Sequence, residues 1–277
     1  MAIERVRDIL QMADKANTSA IAFNCMDYNM IHSVITVAEE LQKPAIVMLY
    51  PEHASEKRWT EPQVFADTVR ALAKHVKTPI GLHLDHCSNY DYILSAIKAG
   101  FQSVMYDGSM LPVEENIVNT REVAKAAHAL GADVEAELGH VGFAGDEETA
   151  DQYTNPNVAA SFCEQSGCDS VAIAVGTAHG FYKSTPKLDI ERLKAINAKT
   201  DIPLVMHGGS GVPDDQLAVA FREGINKFNV GTEFFYLYYQ TMAEYCGAGH
   251  PDFFDMSLLV QQRLKDYLRV KMQLSKL

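Results

Sequence analysis

Residues 83–87 read HLDHC and place two histidines and an aspartate within five positions, directly after an apolar run. Imidazole and carboxylate groups can bind a metal ion, or they can carry a proton to or from a substrate. Strand alternation would put His83 and Asp85 on one face of a strand and His86 on the other. A polar strand end would explain an isolated HxDH equally well, so the rest of the chain must decide.

Two further histidines follow apolar runs, His179 in AVGTAHG and His207 in MHGGSG. Together with His86 they provide three imidazoles, each at the end of a predicted strand. Three imidazoles with one open coordination position form a catalytic zinc pattern. Each of them alone could be an ordinary hydrogen-bonded loop residue, but all three at strand ends favour a metal site. His83 is interpreted as a hydrogen-bonding partner rather than as a ligand.

Glycine-rich stretches form a second group of candidate residues, GTAHG at 176–180 and HGGSG at 207–211. Glycines let backbone N–H groups approach an anion closely. A third stretch, NVGT at 229–232, ends the last predicted strand, and the loops after the seventh and eighth strands of a (β/α)8 barrel commonly bind phosphate. A glycine-rich loop alone is often only a tight turn, but its position here favours an anion site.

The elements that must position these residues are eight short apolar runs with helical patterns between them. The runs are rich in Val, Ile, Ala and Leu without strict alternation, which is typical of parallel strands buried on both faces. The predicted strands are 19–24, 44–49, 79–84, 102–106, 132–138, 169–175, 203–207 and 226–230. This pattern predicts an α/β fold, a (β/α)8 TIM barrel with a C-terminal helical extension at about 252–277, in a single domain spanning 1–277. A doubly wound open sheet is the alternative, but no GxGxxG follows the first run.

Composition excludes several classes of partner. The 277 residues include 36 acidic and 24 basic side chains, for a formal net charge of −12, which argues against nucleic acid and against a basic membrane-surface role. No apolar stretch reaches the length of a bilayer span, and the first residues lack the apolar region of a signal peptide. Five scattered cysteines without CxxC spacing indicate reduced thiols and a cytoplasmic protein.

Six stretches in order, AFN, HLDH, VEAELGHVG, AVGTAHGFYK, MHGGSG and KFNVGTE, together resemble the class II, zinc-dependent fructose-bisphosphate and tagatose-bisphosphate aldolase family over roughly residues 1–245. The resemblance implies reversible cleavage of a ketose phosphate or bisphosphate to dihydroxyacetone phosphate and an aldehyde. It also implies Zn²⁺ as cofactor, allows a monovalent cation (Na⁺ or K⁺), and suggests a homodimer or homotetramer.

The resemblance also implies a role for individual residues. Zinc would be held by His86, His179 and His207, with Glu137 as an alternative or outer carboxylate. Asp85 would protonate the C4 oxygen in condensation and act as the base in cleavage, a role that suits a carboxylate beside the metal. The substrate would contact Asn24 on the aldehyde side and Asn229 on the dihydroxyacetone side. Backbone and side chains around the C1 phosphate would be those of Gly180, Gly208, Gly209, Ser210, Gly231 and Thr232.

Two departures from the family pattern stand out. Family members commonly carry Gln-x-Ser at the end of the second strand, where this chain has Met48 and Tyr50. The family's mobile loop after the fifth strand carries a glutamate that exchanges the dihydroxyacetone phosphate proton. The corresponding stretch here, GFAGDEET at 142–149, is shifted, and Glu147, or failing it Glu148, is predicted as that catalytic base. A solvated acidic turn would explain these acids equally well.

Two other functions remain open from the sequence. A metal-dependent ketose epimerase or isomerase would use a similar site, although Asp85 beside His86 matches the aldolase pattern. A non-catalytic aldolase-like subunit would keep the barrel, although the intact set of three histidines argues against it.

Overall fold

The computed structural model describes residues 2–51, 60–142, 153–249 and 252–277, and it shows a closed barrel of eight parallel strands. Each strand pairs with the next along the chain, and β8 pairs with β1 to close the barrel. The strands are β1 (Ala20–Asn24), β2 (Ala45–Leu49), β3 (Ile80–Cys87), β4 (Ser103–Tyr106), β5 (Asp133–Leu138), β6 (Ser170–Ile173), β7 (Leu204–Met206) and β8 (Ile225–Val230). They fall within or close to the eight predicted runs, and nearly all their residues are buried on both faces.

Helices surround the barrel and connect successive strands. They are α1 (Val6–Lys15), α2 (Tyr28–Leu41), α3 (Pro62–Ala73), α4 (Tyr90–Lys98), α5 (Val113–Ala129), α6 (Pro156–Ser166), α7 (Ile190–Asn197), α8 (Asp214–Arg222), α9 (Thr232–Gly247) and α10 (Phe253–Met272). Side chains cap several N-termini, as when Asp27 accepts from the Met30 N–H and Asn89 from the Tyr92 N–H. The predicted TIM barrel and its C-terminal helical extension are confirmed. No helix in these ranges is both long enough and apolar enough to cross a bilayer.

The N-terminal end of the barrel is closed by α1. Its buried face packs into the barrel interior against inward-facing side chains of β1 and β2, including Ile46 and Met48. Met48 is therefore a core residue, while Tyr50, two positions further along, reaches the opposite end of the barrel. Leu277 packs against the same cluster, so the end of the chain also contributes to this closure.

The C-terminal helix α10 packs along α2 and α9 on the outside of the barrel. Beyond it, the Lys43 ammonium group donates to the backbone carbonyls of Ser275 and Leu277 at 2.7 and 2.6 Å. The Lys276 N–H donates to the Thr18 hydroxyl at 3.0 Å. These bonds hold the last residues against the segments that lead into β1 and β2.

Gly81 in β3 lies against side chains of α1, and this contact can be tested. A Cβ at Gly81 would lie 2.9 Å from the Val6 Cγ2 and 3.3 Å from the Ile9 Cδ1, so a methyl group there must displace these α1 side chains. We expect Gly81→Ala to lower the free energy of unfolding by about 1–3 kcal/mol, as overpacking does. Gly247, at the end of α9, is the matched control because nothing lies within 4 Å of its added Cβ. Chemical denaturation of both variants makes the comparison, and equal stability of Gly81→Ala and wild type would contradict a close fit of α1.

Candidate active site

A cavity of about 830 Å³ opens at the C-terminal ends of the strands, opposite α1. The predicted polar site residues that line it are Asn24, Asp85, His86, Glu137, His179 and Asn229. The predicted loop residues that line it are Gly180, Gly208, Gly209, Ser210, Gly231 and Thr232. His207 lies fully buried, in contact with Glu137 at the cavity wall. The fold therefore brings together every predicted site residue within the described ranges.

The three predicted ligand histidines converge at one point. The ring centroid of His86 lies 4.9 Å from that of His179 and 4.5 Å from that of His207. One ring nitrogen from each residue can be chosen so that all three nitrogens lie within 4.8 Å of one another. Such a cluster of imidazole nitrogens suits a zinc-like cation.

His86 reaches this cluster through an irregularity in β3. Its backbone adopts the left-handed conformation, with φ of 41°, and the pairing with β4 shifts register between Leu84 and Cys87. The expectation that His86 points away from Asp85 is therefore wrong, because strand alternation holds only where the backbone stays extended. Both side chains face the cavity. Left-handed backbone is uncommon for a residue other than glycine, and such positions are concentrated at functional sites.

Hydrogen bonds fix which ring nitrogen each histidine offers to the cluster. The His86 Nδ1 lies 2.8 Å from the carboxylate of Asp107, and the His179 Nδ1 lies 3.0 Å from the Val141 carbonyl oxygen. Because both partners are acceptors, each Nδ1 carries a proton, and it is the Nε2 that keeps the free electron pair when the ring is neutral. Asp107, directly after β4, is not among the predicted site residues, because only the folded chain shows that it is the partner of His86.

His207 lies between two buried carboxylates. Its Nδ1 is 3.1 Å from Glu137 Oε2, and its Nε2 is 3.0 Å from Glu135 Oε1. Burial alone would lower the pKa of His207, but hydrogen bonds and charge from both glutamates raise it to about 10. A metal cation placed beside Nδ1 would meet the same negative charge that now favours the proton. The donor set of three imidazoles and the Glu137 carboxylate thus fits a divalent cation, with Glu137 between His86 and His207.

His179 differs from His207 in its surroundings. Burial, together with positive charge on His86 and His207, lowers its pKa to about 4, so His179 is neutral near pH 7. A neutral imidazole with its Nδ1–H committed to a carbonyl is the form that binds metals.

The Asp85 carboxylate is held by two amide groups. Asn24 Nδ2 donates to one oxygen at 2.8 Å, and Asn229 Nδ2 donates to the other at 3.0 Å. Burial would raise the pKa of Asp85, but His86, His207 and Lys227 outweigh it and lower the pKa to about 2. Within the described residues, the buried Oδ1 atoms of Asn24 and Asn229 have no hydrogen-bond partner. Both asparagines line the cavity, so a ligand that enters it meets their side chains beside a fixed carboxylate.

The two glycine-rich loops touch each other at one side of the cavity. A Cβ on Gly208 would lie 2.5 Å from the Ala178 carbonyl oxygen, and one on Gly209 would overlap the Phe228 ring. Tyr182 joins the loops, because its hydroxyl donates to the Gly208 carbonyl and accepts from the Ala178 N–H, both at 2.7 Å. Sequence reasoning missed Tyr182, since only the folded loops show what its hydroxyl bridges.

The third glycine stretch leads directly into a helix. Gly231 precedes α9, and Thr232 is the first residue of that helix, with both residues at the cavity wall. A helix N-terminus presents backbone N–H groups and a partial positive charge. Together with the adjacent glycine loops, it provides backbone donors for an anion.

The remaining residues singled out in the sequence lie outside the histidine cluster and the glycine-rich loops, or outside the described residues. His83 is a hydrogen-bonding partner inside the barrel, where burial and the charge of Lys227 lower its pKa to about 3 and keep it neutral. Tyr50 lines the cavity, and its ring centroid lies 5.9 Å from that of His86. Glu147 and Glu148 belong to residues 143–152, outside the described residues, so their predicted role stays a prediction.

Comparison with known proteins identifies the family of this chain. A family model described as class-II fructose-bisphosphate aldolase matches residues 4–276. The YdjI aldolase from Escherichia coli K12 is 31% identical and has a TM-score of 0.88, with 100% of this chain and 98% of that chain covered. A fructose-bisphosphate aldolase from Campylobacter jejuni shares the fold, with a TM-score of 0.83, 23% identity, and coverage of 98% of this chain and 93% of that one. The chain belongs to the class II fructose-bisphosphate aldolase family.

Proposed function

We propose that this protein is a zinc-dependent aldolase that reversibly cleaves a ketose phosphate to dihydroxyacetone phosphate and an aldehyde. The substrate is fructose 1,6-bisphosphate, tagatose 1,6-bisphosphate or a related sugar phosphate. The observation that carries the proposal is the convergence of His86, His179 and His207 beside an ionised Asp85 that two amide groups hold in place. We further propose that the active protein is a homodimer or homotetramer.

In this proposal His86, His179 and His207 hold the cation, and Glu137 is an alternative or outer carboxylate. A cation held there would supply Lewis-acid chemistry, which stabilises negative charge of the kind left when C3–C4 breaks. The backbone N–H groups at Gly180, Gly208 and Gly209, with Ser210, Gly231 and Thr232, bind the C1 phosphate. Their location on adjoining loops and at the start of α9 supports this assignment.

Asp85 carries the proton on the aldehyde side. In cleavage it accepts the proton of the C4 hydroxyl, the oxygen electrons form the aldehyde C=O, and the C3–C4 bond pair stays on C3. In condensation the proton returns to the C4 oxygen. In this proposal Asn24 and Asn229 orient Asp85 through their amide N–H groups and contact the substrate from the cavity wall, which is supported by their hydrogen bonds to the carboxylate. Glu147, proposed from the sequence, would exchange the proton at C3.

Activity is expected to depend on the metal and not on a lysine imine. Of the described lysines, none lines the cavity, and the Lys227 ammonium group is buried in an ion pair with Glu135. A coupled assay with ketose bisphosphates should detect triose phosphate, a chelator should abolish that activity, and Zn²⁺ should restore it. Borohydride added with substrate should leave activity intact. A covalent lysine adduct, or an epimer as the sole product, would contradict the proposed function.

Asp85→Asn is expected to lose cleavage while keeping the metal. Loss of a general acid or base costs about 10²–10⁴-fold in rate, and the three histidines remain in place. Dihydroxyacetone phosphate has no C4, so exchange of its C3 proton into heavy water should persist in this variant. Metal analysis, the cleavage rate and NMR-detected exchange make the test together. Near-normal cleavage, or parallel loss of cleavage and exchange, would show that Asp85 does not act at the C4 oxygen.

Tyr182→Phe is expected to weaken binding of the phosphate group. The substitution leaves the Ala178 N–H without its acceptor and loosens the contact between the two glycine loops. A lost buried partner costs about 1–3 kcal/mol, so the Kd for dihydroxyacetone phosphate should rise by roughly 5–150-fold. Tyr238→Phe is the matched control, because that hydroxyl also bridges two groups, Asn29 and Asp27. Calorimetric titration should show weakened binding for Tyr182→Phe alone, and equal Kd values for the two variants would rule out a specific role for Tyr182.

A further inference from the structure

A connected row of polar side chains runs through the barrel interior beneath the histidine cluster. The Lys227 ammonium group donates to both oxygens of Glu135, at 3.0 and 2.7 Å, and lies 3.3 Å from the His83 Nε2. The His83 Nδ1 is 2.8 Å from the Ser103 hydroxyl. Glu135 also contacts the His207 Nε2 at 3.0 Å. The row therefore ends on one of the proposed metal ligands.

The chemistry of the donors settles the direction of these bonds. An ammonium group can only donate, so the His83 Nε2 accepts from Lys227, and its protonated Nδ1 donates to Ser103. Glu135 can only accept while it is paired with this ammonium group. The His207 Nε2 must therefore carry a proton and donate it to Glu135. The other ring nitrogen, Nδ1, then faces Glu137 and the cavity side.

The buried ion pair between Lys227 and Glu135 is not explained by its contribution to the stability of the fold. The side chains of Lys227 and Glu135 are 0% and 1% exposed, so both charges have lost their hydration. A buried ion pair is often no more stable than apolar residues of similar volume, because desolvation offsets the attraction. Lys227 and Glu135 come from β8 and β5, strands that do not pair with each other. The pair thus fixes the carboxylate from across the barrel, at the point where His207 meets it.

We propose that Glu135, held by Lys227, is a positioning residue that orients His207 and directs its Nδ1 toward the metal position. The inference rests on the proposed function, since it concerns the cation that His86, His179 and His207 would hold. His86 and His179 have acceptors of their own, Asp107 and the Val141 carbonyl. Glu135 supplies the corresponding acceptor for His207 from inside the barrel. Acceptors of this kind orient a ligand imidazole and raise its basicity.

The test compares metal binding in Glu135→Gln and wild type. Competition with a chromophoric chelator gives the Kd for Zn²⁺, and visible absorption of the Co²⁺-loaded protein reports the geometry around the ion. We expect the Kd of Glu135→Gln to rise by about 10–100-fold and the Co²⁺ spectrum to change. Asp169→Asn is the matched control, because it breaks a 2.7 Å carboxylate–imidazole contact with His128 on the outside of the barrel. That variant should keep the wild-type Kd and spectrum.

A second variant keeps the test decisive if the unpaired lysine prevents folding. Glu135→Gln combined with Lys227→Met removes both charges together, so no charge is left buried without a partner. The double variant should also bind Zn²⁺ more weakly than wild type. Wild-type affinity in whichever variant folds, with only a lower melting temperature, would overturn the inference and leave a purely structural role. Wild-type protein that binds no Zn²⁺ would overturn the proposed function itself.

Discussion

The buried ion pair between Glu135 and Lys227 is the constraint on which the rest of the site depends. Neither charge could remain ionised alone in an apolar interior, so the two strands that carry them must be held at a fixed separation across the barrel. The closed barrel meets this condition, with α1 filling one end and the functional cavity at the other. Both members of the pair act on the site, since Glu135, together with Glu137, raises the pKa of His207, and Lys227, after His86 and His207, helps to lower that of Asp85.

The barrel and the approximate site were predictable because they follow from local patterns. Runs of buried aliphatic residues predict parallel strands, and parallel strands of one barrel end at the same side. Polar residues at those ends, such as Asn24, His179 and Asn229, must therefore converge. The interior row of charges was not predictable in the same way. Glu135 and Lys227 are 92 positions apart, and only barrel closure decides that they meet.

His86 shows where a local pattern fails. Alternation assumes an extended backbone, and one residue in the left-handed conformation is enough to turn the side chain to the other face. The same rule holds at Met48 and Tyr50, which lie two positions apart on a regular strand and its end. They point into the same interior, one into the core and the other into the cavity. Strand alternation therefore gives the correct side-chain directions for Met48 and Tyr50, where the backbone is regular, and the wrong direction for His86, where it is not.

The closure of the barrel by β8 and α1 has a consequence for biosynthesis. α1 and β1 leave the ribosome first, yet α1 packs on β3 and β8, and β1 pairs with β8 roughly 200 residues later. At about 5–20 residues per second, β8 follows β1 by roughly 10–40 s. During that interval the edge of β1 that faces β8 has no native partner, while α1 can already pack against β1, β2 and β3. The nascent chain therefore depends on shielding of this edge, and the catalytic end cannot assemble before almost the whole polypeptide has been translated.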